Sequence, residues 1–197
     1  MRAPLTGRRV GTAFLAALLL TGHSARPVRA GSDDGRVAMG ARLFRAMLDA
    51  DLDLARKTLP DGRLLVVFLH RGDATRAARL ASEFTTAGKG GKALPVAGLP
   101  LAIELTNDPT FAAYDTRVPA GIFLTEAFDG KTLRDVVEFG IAHKRIVYSP
   151  FDGDVERGVL GGLSIEAQVK LSVNERTMEA SSVALKPLFL KSCKVYR

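Results

Sequence analysis

The chain has 197 residues, 47% of them hydrophobic, with 28 basic and 21 acidic side chains and a formal charge of +7. Five of the basic residues (Arg2, Arg8, Arg9, Arg26 and Arg29) precede the first acidic one, Asp33, so residues 31–197 carry 23 basic against 21 acidic side chains. That near-balance excludes a nucleic-acid binder built on a basic stripe, and a single cysteine, Cys193, excludes an internal disulfide.

The amino end reads as an export signal. Arg2, Arg8 and Arg9 lead into the apolar run Val10–Leu20, and Val28-Arg29-Ala30 offers small residues about a cleavage site. The run is about half the length that a bilayer-spanning helix needs. Residues 1–30 are therefore expected to be removed rather than to anchor the chain, which places the mature protein in the periplasm. The Arg8-Arg9 pair hints at twin-arginine export, but the residues after it match that motif poorly. Residues 31–35 are expected to form a flexible leader, and residues 36–197 one domain.

From Arg36, the residues Val37, Met39, Leu43, Phe44, Met47 and Leu48 recur at helical steps, with Asp33 and Asp34 as N-cap candidates. Pro60-Asp61-Gly62 marks a turn. Leu64–Leu69 is a continuous apolar run, too short for a typical helix, and suits a strand covered on both faces. Asp73 can cap a following helix through Ala77, Ala78, Leu80, Ala81 and Phe84. Further strands are expected at Leu101–Leu105, Ala120–Leu124 and Arg145–Tyr148, with a helix over Lys131–Ala142 whose inner stripe is Leu133, Val136, Val137 and Ile141. Gly161–Asn174 alternates strictly, with Leu163, Ile165, Ala167, Val169, Leu171 and Val173 on one face, as in one long strand or a hairpin with one wet face. A last helix is expected over Leu185–Val195, with Cys193 as a small buried hydrophobe within it, a free thiol or an intermolecular bridge being the alternatives. The fold class predicted is α/β, a layered Rossmann-like sheet with flanking helices and an antiparallel ribbon at its C-terminal edge.

His70-Arg71-Gly72-Asp73 is the candidate small-molecule site. It ends a core strand and opens a helix, where open α/β sheets bind ligands and helix N-termini attract anions. The same four residues also suit an ordinary capped loop. Gly88-Lys89-Gly90-Gly91-Lys92 lacks the order of a phosphate-binding loop, and Gly158 to Gly162 lacks dinucleotide spacing. His70 and His143 stand isolated with no cysteine nearby, so neither a metal nor a cofactor is implied. Ser164 sits in strand sequence outside any nucleophile motif, and Asp152 with Asp154 reads as turn chemistry. These patterns give no enzyme signature.

The layout resembles the YfiR-like periplasmic proteins. The likeness rests on the opening amphipathic helix, on Leu64–Leu69 with its following helix, and on Ala120-Gly-Ile-Phe-Leu124. It rests above all on the ending, a glycine turn at Gly161-Gly162, a long ribbon closing at Asn174, and Val183-Ala-Leu-Lys-Pro-Leu-Phe-Leu190. The tryptophan-proline pair common in that family is missing, since Pro60 has no tryptophan beside it. The resemblance implies a periplasmic, non-enzymatic module that restrains a membrane diguanylate cyclase through its periplasmic domain, or serves a sensor kinase. On that reading the wet face of the ribbon, with Lys170 and Ser172, is the candidate partner surface, and homodimerisation is left open. The rival reading is a small periplasmic solute-binding protein with an anion site at His70–Asp73.

Overall fold

The computed structural model describes residues 30–86, 93–165 and 168–197. Residues 1–29, which carry most of the expected signal, and the glycine-lysine run at 88–92 lie outside the described residues, as does Ala167 of the ribbon.

Leu64–Leu69 forms strand β1, and all six of its residues are buried. Pleating sends alternate side chains to opposite faces, and the burial follows that rule. Leu64, Val66 and Phe68 enter one apolar cluster, while Leu65, Val67 and Leu69 enter another. Such a strand needs a cover on each side, and the helices supply both.

On one side lie α1 (Ala30–Asp49) and α2 (Ala74–Thr85), and on the other α3 (Gly130–His143) with a short turn at Ala112–Tyr114. Asp73 caps α2 by accepting from the Arg76 amide at 2.8 Å, and Ala77, Leu80, Ala81 and Phe84 form its buried stripe. Asp129 caps α3, which buries Leu133, Val136, Val137 and Gly140.

The remaining strands are β2 (Leu101–Thr106), β3 (Gly121–Leu124), β4 (Ile146–Ser149), β5 (Gly161–Ile165), β6 (Val169–Asn174) and β7 (Lys194–Tyr196). They make one seven-stranded sheet in the order β2-β1-β3-β4-β5-β6-β7. Strands β1 to β5 are parallel, β6 runs antiparallel to β5, and β7 lies parallel to β6 at the edge. The fold is thus α/β and mostly parallel, with the antiparallel β5–β6 ribbon toward the C-terminal end.

At the centre of the α1 face, the rings of Phe44, Phe68 and Phe123 pack with Phe84 and Tyr148 at centroid separations of 5.1–5.7 Å. Gly121 lets α1 come this close, because a Cβ there would stand 2.8 Å from both Phe44 Cζ and Leu48 Cδ2.

Three expectations are corrected. Helix α1 begins at Ala30, so Asp33 and Asp34 lie inside the helix rather than at its cap. Asp34 holds this first stretch to α2 through ion pairs with Arg76 at 3.0 Å and Arg79 at 3.1 Å. The single helix expected over Leu185–Val195 is replaced by the short α5 (Pro187–Leu190) and β7, and a helix not expected, α4 (Glu175–Ala180), precedes them. A proline forces the residue before it out of helical geometry, and Lys186 accordingly has ψ 129°. Cys193 therefore sits half-buried in the turn before β7, its thiol donating to the Phe189 carbonyl at 3.3 Å. Burial pushes that thiol's pKa up.

Candidate functional site

The strand order reverses direction at β1, since β2 lies on one side of it and β3 on the other. In open α/β sheets that switch point opens a crevice beyond the carboxyl ends of the strands. Here the register Leu69↔Leu124 sets the loop His70–Asp73 beside Thr125–Ala127. Thr125 ties the two strand ends together, with both its amide and its hydroxyl donating to the Leu69 carbonyl at 3.0 Å.

A groove of about 650 Å³ lies there, lined by Arg71, Gly72, Asp73, Arg76, Glu126 and Phe151 among others. Three of the four predicted residues therefore line it. His70 does not. Its amide donates to the Thr106 carbonyl at 2.9 Å, and its Nδ1 is buried without a hydrogen-bond partner.

The groove is electrically different from the simple anion site that the sequence suggests. Arg71 pairs with Glu126 at 3.8 Å, and Arg76 pairs with Asp34 at 3.0 Å. Glu126 also accepts from the Asp73 amide at 3.1 Å, while the Asp73 carboxylate is engaged in capping α2. Each cation thus has a carboxylate of the protein beside it. Glu126 and Phe151 escape the sequence reading because only the strand order brings their loops to one mouth, whereas Arg76 comes locally, from the first turn of α2 three residues after Asp73.

Asp152 and Asp154 part company. Asp152 is exposed and pairs with Arg36 of α1. Asp154 is fully buried, accepting from the Ser149 hydroxyl at 2.5 Å and pairing with Arg157. Both hold the β4–β5 connection in place.

The ribbon divides into two halves. Near the sheet, Leu163 and Leu171 face each other and are buried, as are Gly162 and Ser172 on the opposite face. Ser172 is only 1% exposed and its hydroxyl lacks a partner, which removes it from any partner surface. The cause is the turn before β5. Gly162, the register partner of Ser172, lies so close to Val155 that a Cβ would stand 2.5 Å from Val155 Cγ2. Lys170, by contrast, is exposed. At the outer end Ile165 and Val169 face each other with 50% and 39% of their surface in solvent. The alternation places these two apolar residues on the expected core face, but the core ends before reaching them.

Among the described residues, no group of three or more His, Cys, Asp or Glu side chains is placed to hold a metal ion. Among the same residues, no helix is long and apolar enough to cross a membrane.

No protein-family model matches the chain, and no curated protein matches it. Among the solved structures similar to it are the following two. One is the ABC domain in complex with L-Trp from Streptococcus pneumoniae, at 12% identity and TM-score 0.47, with 76% of this chain and 62% of that one covered. The other is a conserved domain protein from Vibrio cholerae, at 14% identity and TM-score 0.46, with 82% and 60% covered. The chain thus spans about three fifths of the length of each.

Proposed function

We propose that the protein is an exported, non-enzymatic regulatory protein that binds the periplasmic domain of a membrane signalling protein, a diguanylate cyclase or a sensor kinase. The YfiR-like layout and the signal-like first thirty residues support this reading. The observation that carries it is the apolar pair Ile165 and Val169, half in solvent at the end of a ribbon whose base is embedded in the sheet. Apolar residues on a projecting, well-anchored element suit a contact surface. Lys170, next to Val169, supplies charge at its rim.

Direct binding between the purified protein and the periplasmic domain of a candidate cyclase tests the proposal. Ile165→Lys with Val169→Glu should weaken capture by about tenfold or more, while the opposite charges of this cross-strand pair keep the melting temperature near that of the wild type. Capture that survives this change but is lost with Arg71→Ala would move the contact to the switch-point groove.

The place of that groove in the sheet favours a second reading, solute binding at Arg71, Gly72 and Asp73. The ion pairs already made by Arg71 and Arg76 weigh against a purely anionic solute. A ligand-dependent rise in melting temperature, abolished by Arg71→Ala, would establish it.

A further inference from the structure

A second groove, of about 550 Å³, shares no residue with the first. It runs between the C-terminal half of α1, the Pro95–Ala97 segment leading into β2, and α5. Its size falls in the range of small-molecule sites.

Its walls are apolar, built from Ala46, Ala50, Val96 and Phe189. Leu188 stands at the rim 80% exposed, the most open of the large apolar side chains among the described residues. A leucine left this far in water next to a half-buried phenylalanine is a surface that an apolar ligand would cover.

Its charge is one-sided. Arg42, Arg45 and Lys186 line the groove against a single carboxylate, Asp49. Arg45 donates to the carbonyls of Phe84 at 3.1 Å and Leu94 at 2.7 Å, and also to that of Pro95. Those acceptors take three of its five N–H groups without cancelling its charge, and its cation lies over the Phe84 ring at 5.6 Å. Lys186 reaches the Asp49 carbonyl at 2.8 Å and the Asp49 carboxylate at 3.4 Å, which leaves one ammonium N–H for a ligand. Arg42 is exposed and makes no hydrogen bond or ion pair among the described residues.

We propose that this groove binds an amphiphilic carboxylate, its alkyl chain against Val96, Phe189 and Leu188 and its headgroup held by Arg42 and Lys186. The apolar walls select the tail and the excess of cations selects the head. This site is independent of the ribbon contact.

Calorimetric titration of the purified protein with sodium decanoate, kept below micelle formation, tests it. Saturable binding at one site is expected. Decyltrimethylammonium, with the same tail and the opposite charge, should bind at least about tenfold more weakly. Butyrate, with the same head and a short tail, should do likewise. Arg42→Glu and Leu188→Ser should each weaken decanoate by about tenfold. Both residues are exposed, so the melting temperature should hold and the loss should belong to the site. Absence of saturable binding, equal affinity for the two charge types, or decanoate affinity unchanged in Arg42→Glu would overturn the proposal. So would loss of decanoate binding in Arg71→Ala, which would assign the ligand to the switch-point groove.

Discussion

Arg71 and Glu126 meet across the mouth of the switch-point groove at 3.8 Å, yet the arginine is 67% exposed and the glutamate only 15%. The pair is therefore lopsided. Solvent screens the cation, while the carboxylate is also fixed by the Asp73 amide at 3.1 Å. Arg71→Ala is expected to cost no more than about 1 kcal/mol, the usual ceiling for an exposed ion pair. Glu126→Gln should free the arginine for an outside anion. Inorganic phosphate should then raise the melting temperature of Glu126→Gln more than that of the wild type, as differential scanning fluorimetry would show.

The core position of β1 predicts a large response at Phe68. Its ring is fully buried and packs on Phe84 at 5.5 Å and Phe123 at 5.1 Å. Phe68→Ala should lower stability by about 3–5 kcal/mol in urea unfolding. A variant that unfolds at the wild-type midpoint would show that β1 is not central.

Gly161 and Gly162 should respond unequally to alanine. At Gly161 the nearest obstacle is the end of the Met47 side chain, which can turn away. At Gly162 a Cβ would stand 2.7 Å from the Ser149 carbonyl oxygen, which is backbone and cannot. Gly162→Ala should cost about 1–3 kcal/mol, the range of overpacked sites, and more than Gly161→Ala. Chemical denaturation of the two variants side by side checks the order.

Two tyrosines set an alkaline limit. Burial and the Glu104 carboxylate push Tyr114 up to about 12, and burial pushes Tyr148 higher still, its hydroxyl enclosed without a partner. In the unfolded chain both ionise near pH 10. Because the folded pKa values are raised, stability is intact below that pH and falls as pH climbs from about 10 toward about 12, where the unfolded chain releases protons first. Tyr114→Phe should flatten the decline in a series of urea midpoints across that window.

Sequence legibility tracks the range of the deciding interaction. Leu64–Leu69 declares itself because a strand covered on both faces needs only apolar residues, and Asp73 because a cap acts three residues away. The helix α4 is equally local. Asn174 accepts from the Thr177 amide at 2.9 Å, an N-cap that the alternation pattern obscures by counting Asn174 only as the end of a strand. Lys186-Pro187 likewise carries the signal that breaks the expected last helix. Ser172 is illegible, since its burial comes from the Val155 turn folding over the ribbon. The groove is half legible. Arg71 and Asp73 can be found at a strand end, but Glu126 joins them only through the pairing of β1 with β3.

The packing of α1 also dictates an order of events during synthesis. Its Phe44 ring settles against Phe123 and Tyr148, and its Met47 against Gly161, all from the far half of the chain. The β5–β6 hairpin, by contrast, closes over only three residues and can form as soon as it emerges. The first helix made can thus meet α2 early, Phe44 against Phe84, but its partners in β3, β4 and β5 come late, and part of its apolar stripe stays uncovered until nearly the whole domain is available. A nascent chain in that state is prone to aggregate, and one that ends before Gly161 keeps that surface open for good.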